Sequence, residues 1–206
     1  MARSRGSTPS STPAWSPPSA CPRCSRPRAR PGGEQAVLSG AARYLGRSVR
    51  LVRDADLSAP TPCPDWDLGH LLGHVRSSLD DLTEVLTGGP GPDPGQVADP
   101  AAAIRARIVG LLVAWTVTPG RRCEVGDRWI SPEIVGYTAA AEMVLHAWDI
   151  SRACGADHPI PAALATRLLE VSPLLAADRF FATPLDVAAT AEPGERLLAL
   201  FRRQPR

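Results

Sequence analysis

Pro60-Thr-Pro62-Cys-Pro64 sets three prolines within five residues. No helix can run through such a segment, so it is a stiff, extended connector. On both sides of it the apolar residues recur at helical spacing. Before it, Val37, Ala41, Tyr44, Leu45, Val49 and Val52 keep that period from about Glu34 to Ala55. After it, Leu68, Leu71, Leu72, Val75, Leu79 and Leu82 continue to about Leu86, with Asp65 or Asp67 placed to cap the helix start. A third helix is predicted from Pro100 to Thr116 on Ile104, Ile108, Leu111, Leu112 and Trp115. A fourth opens at Ser131-Pro132-Glu133, an N-cap followed by a first-turn proline and an acid, and stops at Gly155 after Cys154. A shorter helix follows Pro161 to about Asp178, and Glu195 to Arg202 closes the chain. Between them, Thr87–Pro100 reads as a loop, Cys123–Ile130 as a short extended piece, and Pro184–Thr190 as extended. Four long helices joined by turns and one longer crossover predict an all-α, antiparallel four-helix bundle with a short C-terminal extension. An aromatic content of only 5% agrees, because strand-rich proteins lean on aromatic and β-branched residues.

Residues 1–33 differ from the rest. They hold seven prolines and six arginines and no acid, so a disordered tail is expected there, with 34–206 as the folded domain. Cys21 and Cys24 in this tail have the spacing of half a zinc site, but no second pair lies close by, and free thiols are the simpler reading. Without the tail the net charge of +2 becomes −4. A mildly acidic body gives no surface for nucleic acid. No uninterrupted apolar run has the length of a membrane span and no apolar leader opens the chain, so a cytoplasmic location without a membrane partner is expected. Five scattered cysteines do not form a disulfide framework.

The chemistry-bearing residues are few. The chain has four histidines: His70, His74, His146 and His158. Glu142 and His146 stand four apart on the fourth predicted helix, so both leave the same face one turn apart. A carboxylate and an imidazole so placed can hold one side of a divalent ion, with a third ligand from His70, His74 or His158. His74 lies beside Leu71 and Val75 on the inward face of its helix, which makes it the natural third. Three protein ligands leave coordination positions open, as a catalytic metal requires. The competing reading is a hydrogen-bonded core histidine and a paired buried acid. His70, one turn before His74, reads as a partly exposed polar residue, with a fourth ligand or proton shuttle as alternatives. Asp149, three residues after His146, is placed either to orient that imidazole or to pair with Arg152. Trp66 and Trp148 read as packing residues, Cys63 as an inert thiol near the bundle mouth, and His158 as a solvated turn residue.

Two stretches carry a resemblance. Thr61-Pro-Cys-Pro-Asp-Trp-Asp-Leu-Gly-His-Leu-Leu-Gly-His74-Val resembles the Thr-Pro-Cys…Trp…Leu-Leu-x-His pattern of the DinB-like superfamily. Glu142-Met-Val-Leu-His146-Ala-Trp-Asp-Ile-Ser-Arg-Ala153 is similar to the Glu-x-x-x-His-x-Trp-Asp block of the actinobacterial group named for mycothiol-dependent maleylpyruvate isomerase. The closing Glu195–Pro205 resembles the end of a short metal-binding branch of that group. The resemblance covers roughly 34–205. It implies a DinB-like bundle whose metal ligands are His74, Glu142 and His146, with mycothiol or another low-molecular-weight thiol as cosubstrate and a small electrophile as its partner. The isomerase itself carries a further C-terminal α/β domain for which this chain leaves no room, so fold and metal are expected to transfer and maleylpyruvate isomerisation is not. The expected activity is a metal-dependent thiol transferase or isomerase. A non-catalytic metal- or ligand-binding bundle is the alternative, and a hydrolase using metal-activated water stands third. Two imidazoles and a carboxylate suit zinc first, and also nickel, iron(II), manganese or cobalt. A homodimer is compatible with a bundle, although no exposed apolar seam is legible.

Overall fold

The computed structural model describes residues 33–63, 65–90, 99–118, 122–175, 185–188 and 190–204. The tail, its Cys21–Cys24 pair, and parts of the expected 87–100 loop and 184–190 extension lie outside the described residues. Within them run α1 (Gly33–Ser48), a 3-10 turn (Val49–Asp54), α2 (Leu68–Thr87), α3 (Pro100–Val117), α4 (Pro132–Ala153), α5 (Ala162–Leu175) and α6 (Pro193–Leu200). A hairpin pairs β1 (Cys123–Val125) with β2 (Arg128–Ile130), Cys123 opposite Ile130. Its two-residue loop starts at Gly126, whose left-handed φ of 61° is what so tight a reversal asks for.

The protein is an all-α, antiparallel four-helix bundle of α1 to α4. α1 packs along α4, α2 along α3, and α2 also meets α4, while α5 and α6 pack on each other and α5 on α4. The helix starts follow the capping chemistry of the sequence. Asp67 accepts from the His70 amide, Asp99 from Ala101 and Ser131 from Ile134, the last two before a first-turn proline.

α4 is the centre. Ala139, Ala140, Ala141 and Ala147 are buried, as are Met143, Val144, Leu145 and Ile150. Helices on several sides bury it all round, so it lacks the one-faced pattern expected of a bundle helix. Its alanines let α1 and α2 come close. α3 departs in the opposite sense: Ile104, Ile108 and Leu111 are buried, yet Val109, Val113 and Val117 face outward. It is the one helix among the described residues long and apolar enough, by length and composition alone, to cross a membrane. It packs on α2, and Arg107 on its flank donates to Asp80 at 2.8 Å.

α3 and α4 meet at Gly136, where an added Cβ would sit 2.6 Å from the Trp115 ring. Gly136→Ala is therefore expected to cost about 1–3 kcal/mol through overpacking. Denaturant unfolding measures it, and Trp115→Leu in the same chain should recover part of the loss.

Candidate metal centre

Two helices and two non-helical segments deliver the site. α2 presents His74 and α4 presents Glu142, His146 and Asp149 at successive turns. The segment after α6 brings Arg203, and the proline connector brings Cys63 and Trp66.

Glu142 Oε2 lies 3.2 Å from His146 Nε2 and 3.8 Å from His74 Nε2. One donor atom from each of the three lies within 4.8 Å of the others. Donors sharing one ion at roughly 2.1 Å stand about 3–3.5 Å apart, so small side-chain movements would bring the set to ligating distances. His74 and Glu142 are each about one-third exposed (37% and 35%) and His146 only 9%, so the triad is rooted in the core and open on one side. The His74 ring is held edge-on to His146 at 4.8 Å and tilted against Trp66 at 4.7 Å.

Beneath the triad is a closed polar knot. Asp149 is fully buried. Its Oδ2 receives His146 Nδ1 at 3.1 Å, Arg203 Nη2 at 2.7 Å and the Cys63 thiol at 3.3 Å, while Arg203 Nε donates to Oδ1 at 3.0 Å. The guanidinium also donates to the Phe201 carbonyl at 3.1 Å. A carboxylate out of water is tolerable only when so fully satisfied. Cys63, His146 and Asp149 also lie close enough to suggest a second cation site, but Arg203 already fills the Asp149 carboxylate and repels a cation there.

Charge follows geometry. Burial works against ionised Glu142, but hydrogen bonds from His146 and His74 outweigh it and hold its carboxyl well below the usual range. Asp149 is likewise held low, against burial, by His146 and Arg203. Burial works against the His146 imidazolium too, yet hydrogen bonds to Asp149, Cys63 and Glu142 push its pKa up to about 10. The ion-free imidazole is thus doubly protonated at neutral pH, one N–H on each carboxylate. An ion must displace the Nε2 proton, while Asp149 retains the Nδ1 proton and so fixes the tautomer.

The other expected residues fall elsewhere. His70 is exposed, 74% of its side chain accessible, with Nδ1 2.7 Å from Asp67 at the start of α2. It joins neither the triad nor the knot. His158 is not a solvated turn residue: Ser48 Oγ meets its Nδ1 at 3.0 Å and the Tyr44 ring lies 4.5 Å from its own. Arg152, half-buried on α4, is not the partner of Asp149. Arg203 is, and it went unread because nothing local in the sequence links positions 54 residues apart. Cys63 and Trp66 belong to the first sequence block, but their contacts with Asp149 and His74 come from how the loop folds. Thr61 Oγ1 donates to the Trp66 carbonyl at 2.8 Å, and Pro60 bridges to Asp67, turning Cys63 inward.

The family described as mycothiol maleylpyruvate isomerase N-terminal domain matches residues 38–151. That span holds Cys63, His74, Glu142, His146 and Asp149, and ends before Arg203. No curated protein and no solved structure matches the chain.

Two results are expected. Arg203→Leu leaves Asp149 buried without its guanidinium partner and should cost roughly 3–5 kcal/mol, with a much smaller loss in an Asp149→Asn background; urea unfolding of the four chains of that cycle measures the coupling. Because the His146 pKa in the fold lies above its ordinary value of 6.5, the stability it lends is complete below 6.5 and lost as pH rises through about 10. The melting temperature of chelator-treated protein should therefore fall from pH 6.5 to 10, and less steeply in His146→Gln.

Proposed function

The chain belongs to the mycothiol maleylpyruvate isomerase N-terminal domain family, and from that membership and the convergent triad we propose that it is a divalent-metal-binding enzyme acting with a low-molecular-weight thiol, mycothiol in the first instance, as a transferase or isomerase. The observation that carries this reading is the meeting of two imidazoles and one carboxylate from facing helices, rooted in the core and open on one side. His74, Glu142 and His146 are the ligands, and zinc is the first choice of ion for that donor set. When bound, the ion supplies the Lewis acidity that makes a thiol nucleophilic at neutral pH.

The protein's own residues do the rest. Asp149 holds the His146 ring in one orientation and one tautomer, and Arg203 holds Asp149. Trp66 limits the His74 ring to one tilt. The core side of the triad is closed by the knot of Asp149, Arg203 and Cys63, which confines approach of thiol and electrophile to the exposed side of His74 and Glu142.

A non-catalytic metal-binding bundle is favoured by one observation. His70, the proton shuttle that the sequence offered, is turned to Asp67, and Asp149, the buried acid beside the triad, is fully engaged. Elemental analysis of the purified chain beside His74→Ala and Glu142→Gln tests the centre; about one ion per chain, lost in both variants, is expected. Mycothiol consumption with a panel of small electrophiles then separates the readings. Turnover that disappears on chelation and returns with the ion is expected of the enzyme, and a loaded protein inert toward all of them would favour the binding protein.

A further inference from the structure

A second cleft, of about 540 Å3, opens beside the knot. Its walls are Pro60 and Pro62 of the connector, Trp148 and Arg152 one turn apart on α4, and Arg202 and Gln204 after α6. Trp148 and Arg152 lie about a quarter turn around α4 from the Glu142–His146–Asp149 stripe. The cleft contains none of the three proposed ligands. Among the described residues, no acidic side chain lines it. Neither Arg152 nor Arg202 has an ion-pair partner among the described residues, unlike Arg107, Arg167 and Arg203, which do.

Arg202 occupies an unusual position. α6 ends as α4 does, with a left-handed residue closing the last turn. After α4 that residue is Gly155, φ 68°; after α6 it is Arg202, φ 60°. The backbone bonds match: the amide of Ala156 donates to Ser151 and that of Arg203 to Leu198, while Gly155 donates to Arg152 and Arg202 to Ala199. Glycine is the residue such a turn favours, and a side chain there costs on the order of 1 kcal/mol. At this strained position the chain carries a long cationic side chain that lines the cleft.

We propose that this cleft binds a small organic carboxylate, its charged end between Arg152 and Arg202 and its flat apolar part on Trp148 and the prolines. Guanidinium groups present paired donors that match the two oxygens of a carboxylate, with the Gln204 amide as a neutral third partner. Two such groups and one amide suit a carboxylate better than the more highly charged, three-oxygen phosphate monoester. The volume lies in the range of small-molecule sites. Binding there does not depend on the metal reading. It does adjoin it: Pro62, Trp148 and Arg202 are the chain neighbours of Cys63, Asp149 and Arg203.

Benzoate is the probe, titrated into the full-length chain and followed by NMR at the Trp148 indole and the Arg152 and Arg202 side-chain N–H groups, with inorganic phosphate in parallel. Saturable shifts at those three groups are expected. Affinity should fall at least tenfold in Arg152→Gln and in Arg202→Gly, the latter keeping the left-handed turn. Melting temperature and metal content should be no lower in either variant. Absence of saturable shifts, binding that survives both substitutions, or phosphate binding as tight as benzoate would overturn the proposal.

Discussion

The buried carboxylate of Asp149 is the constraint on which the site depends. It lies wholly out of water in the last turns of α4, the most buried helix among the described residues. A charge there is stable only while every oxygen is satisfied. Three separate parts of the chain supply the donors: α4 itself through His146, the proline connector through Cys63, and the segment after α6 through Arg203. Asp149 therefore ties the proline connector and the C-terminal segment to the helix that carries the proposed ligands. It also fixes the ring that faces Glu142, so the fold and the placement of a proposed ligand depend on the same group.

This arrangement explains why two carboxylates on one helix face have separate tasks. Glu142, one-third exposed, meets two imidazoles and retains a side open to solvent. Asp149, two turns further on, is closed off by a guanidinium. The first would attract a cation, and the second, already paired with a guanidinium, would repel one. The partition follows from position along α4: Glu142 lies where α2 presents His74, whereas Asp149 lies where the C-terminal segment returns with a positive charge.

Much of the fold was legible in the sequence because it rests on local chemistry. Apolar spacing marked the helices, and Asp65 or Asp67, Pro100 and Ser131-Pro132 marked three of their starts. The extended piece at Cys123–Ile130 and the stop at Gly155 followed from turn residues, whereas the pairing of that piece into a hairpin came from the structure. The pairing of Glu142 with His146 also needed only helical geometry. Where the reading failed, the reason was long-range. An inward or outward orientation for His158 and a partner for Asp149 depend on segments far away in the chain. The unpatterned hydrophobicity of α4 arises because several helices surround it, and no periodicity signals that.

The sequence by itself determined the elements and the short list of donors, because capping, proline geometry and helical spacing act within a few residues. Only the tertiary structure decided which donors meet. His74 reaches Glu142 across 68 positions because α2 packs on α4, and Arg203 reaches Asp149 because the turn at Arg202 carries the chain back to the core. Those contacts are set by the burial of apolar faces and by the need to satisfy one charge inside, and both are properties of the folded whole.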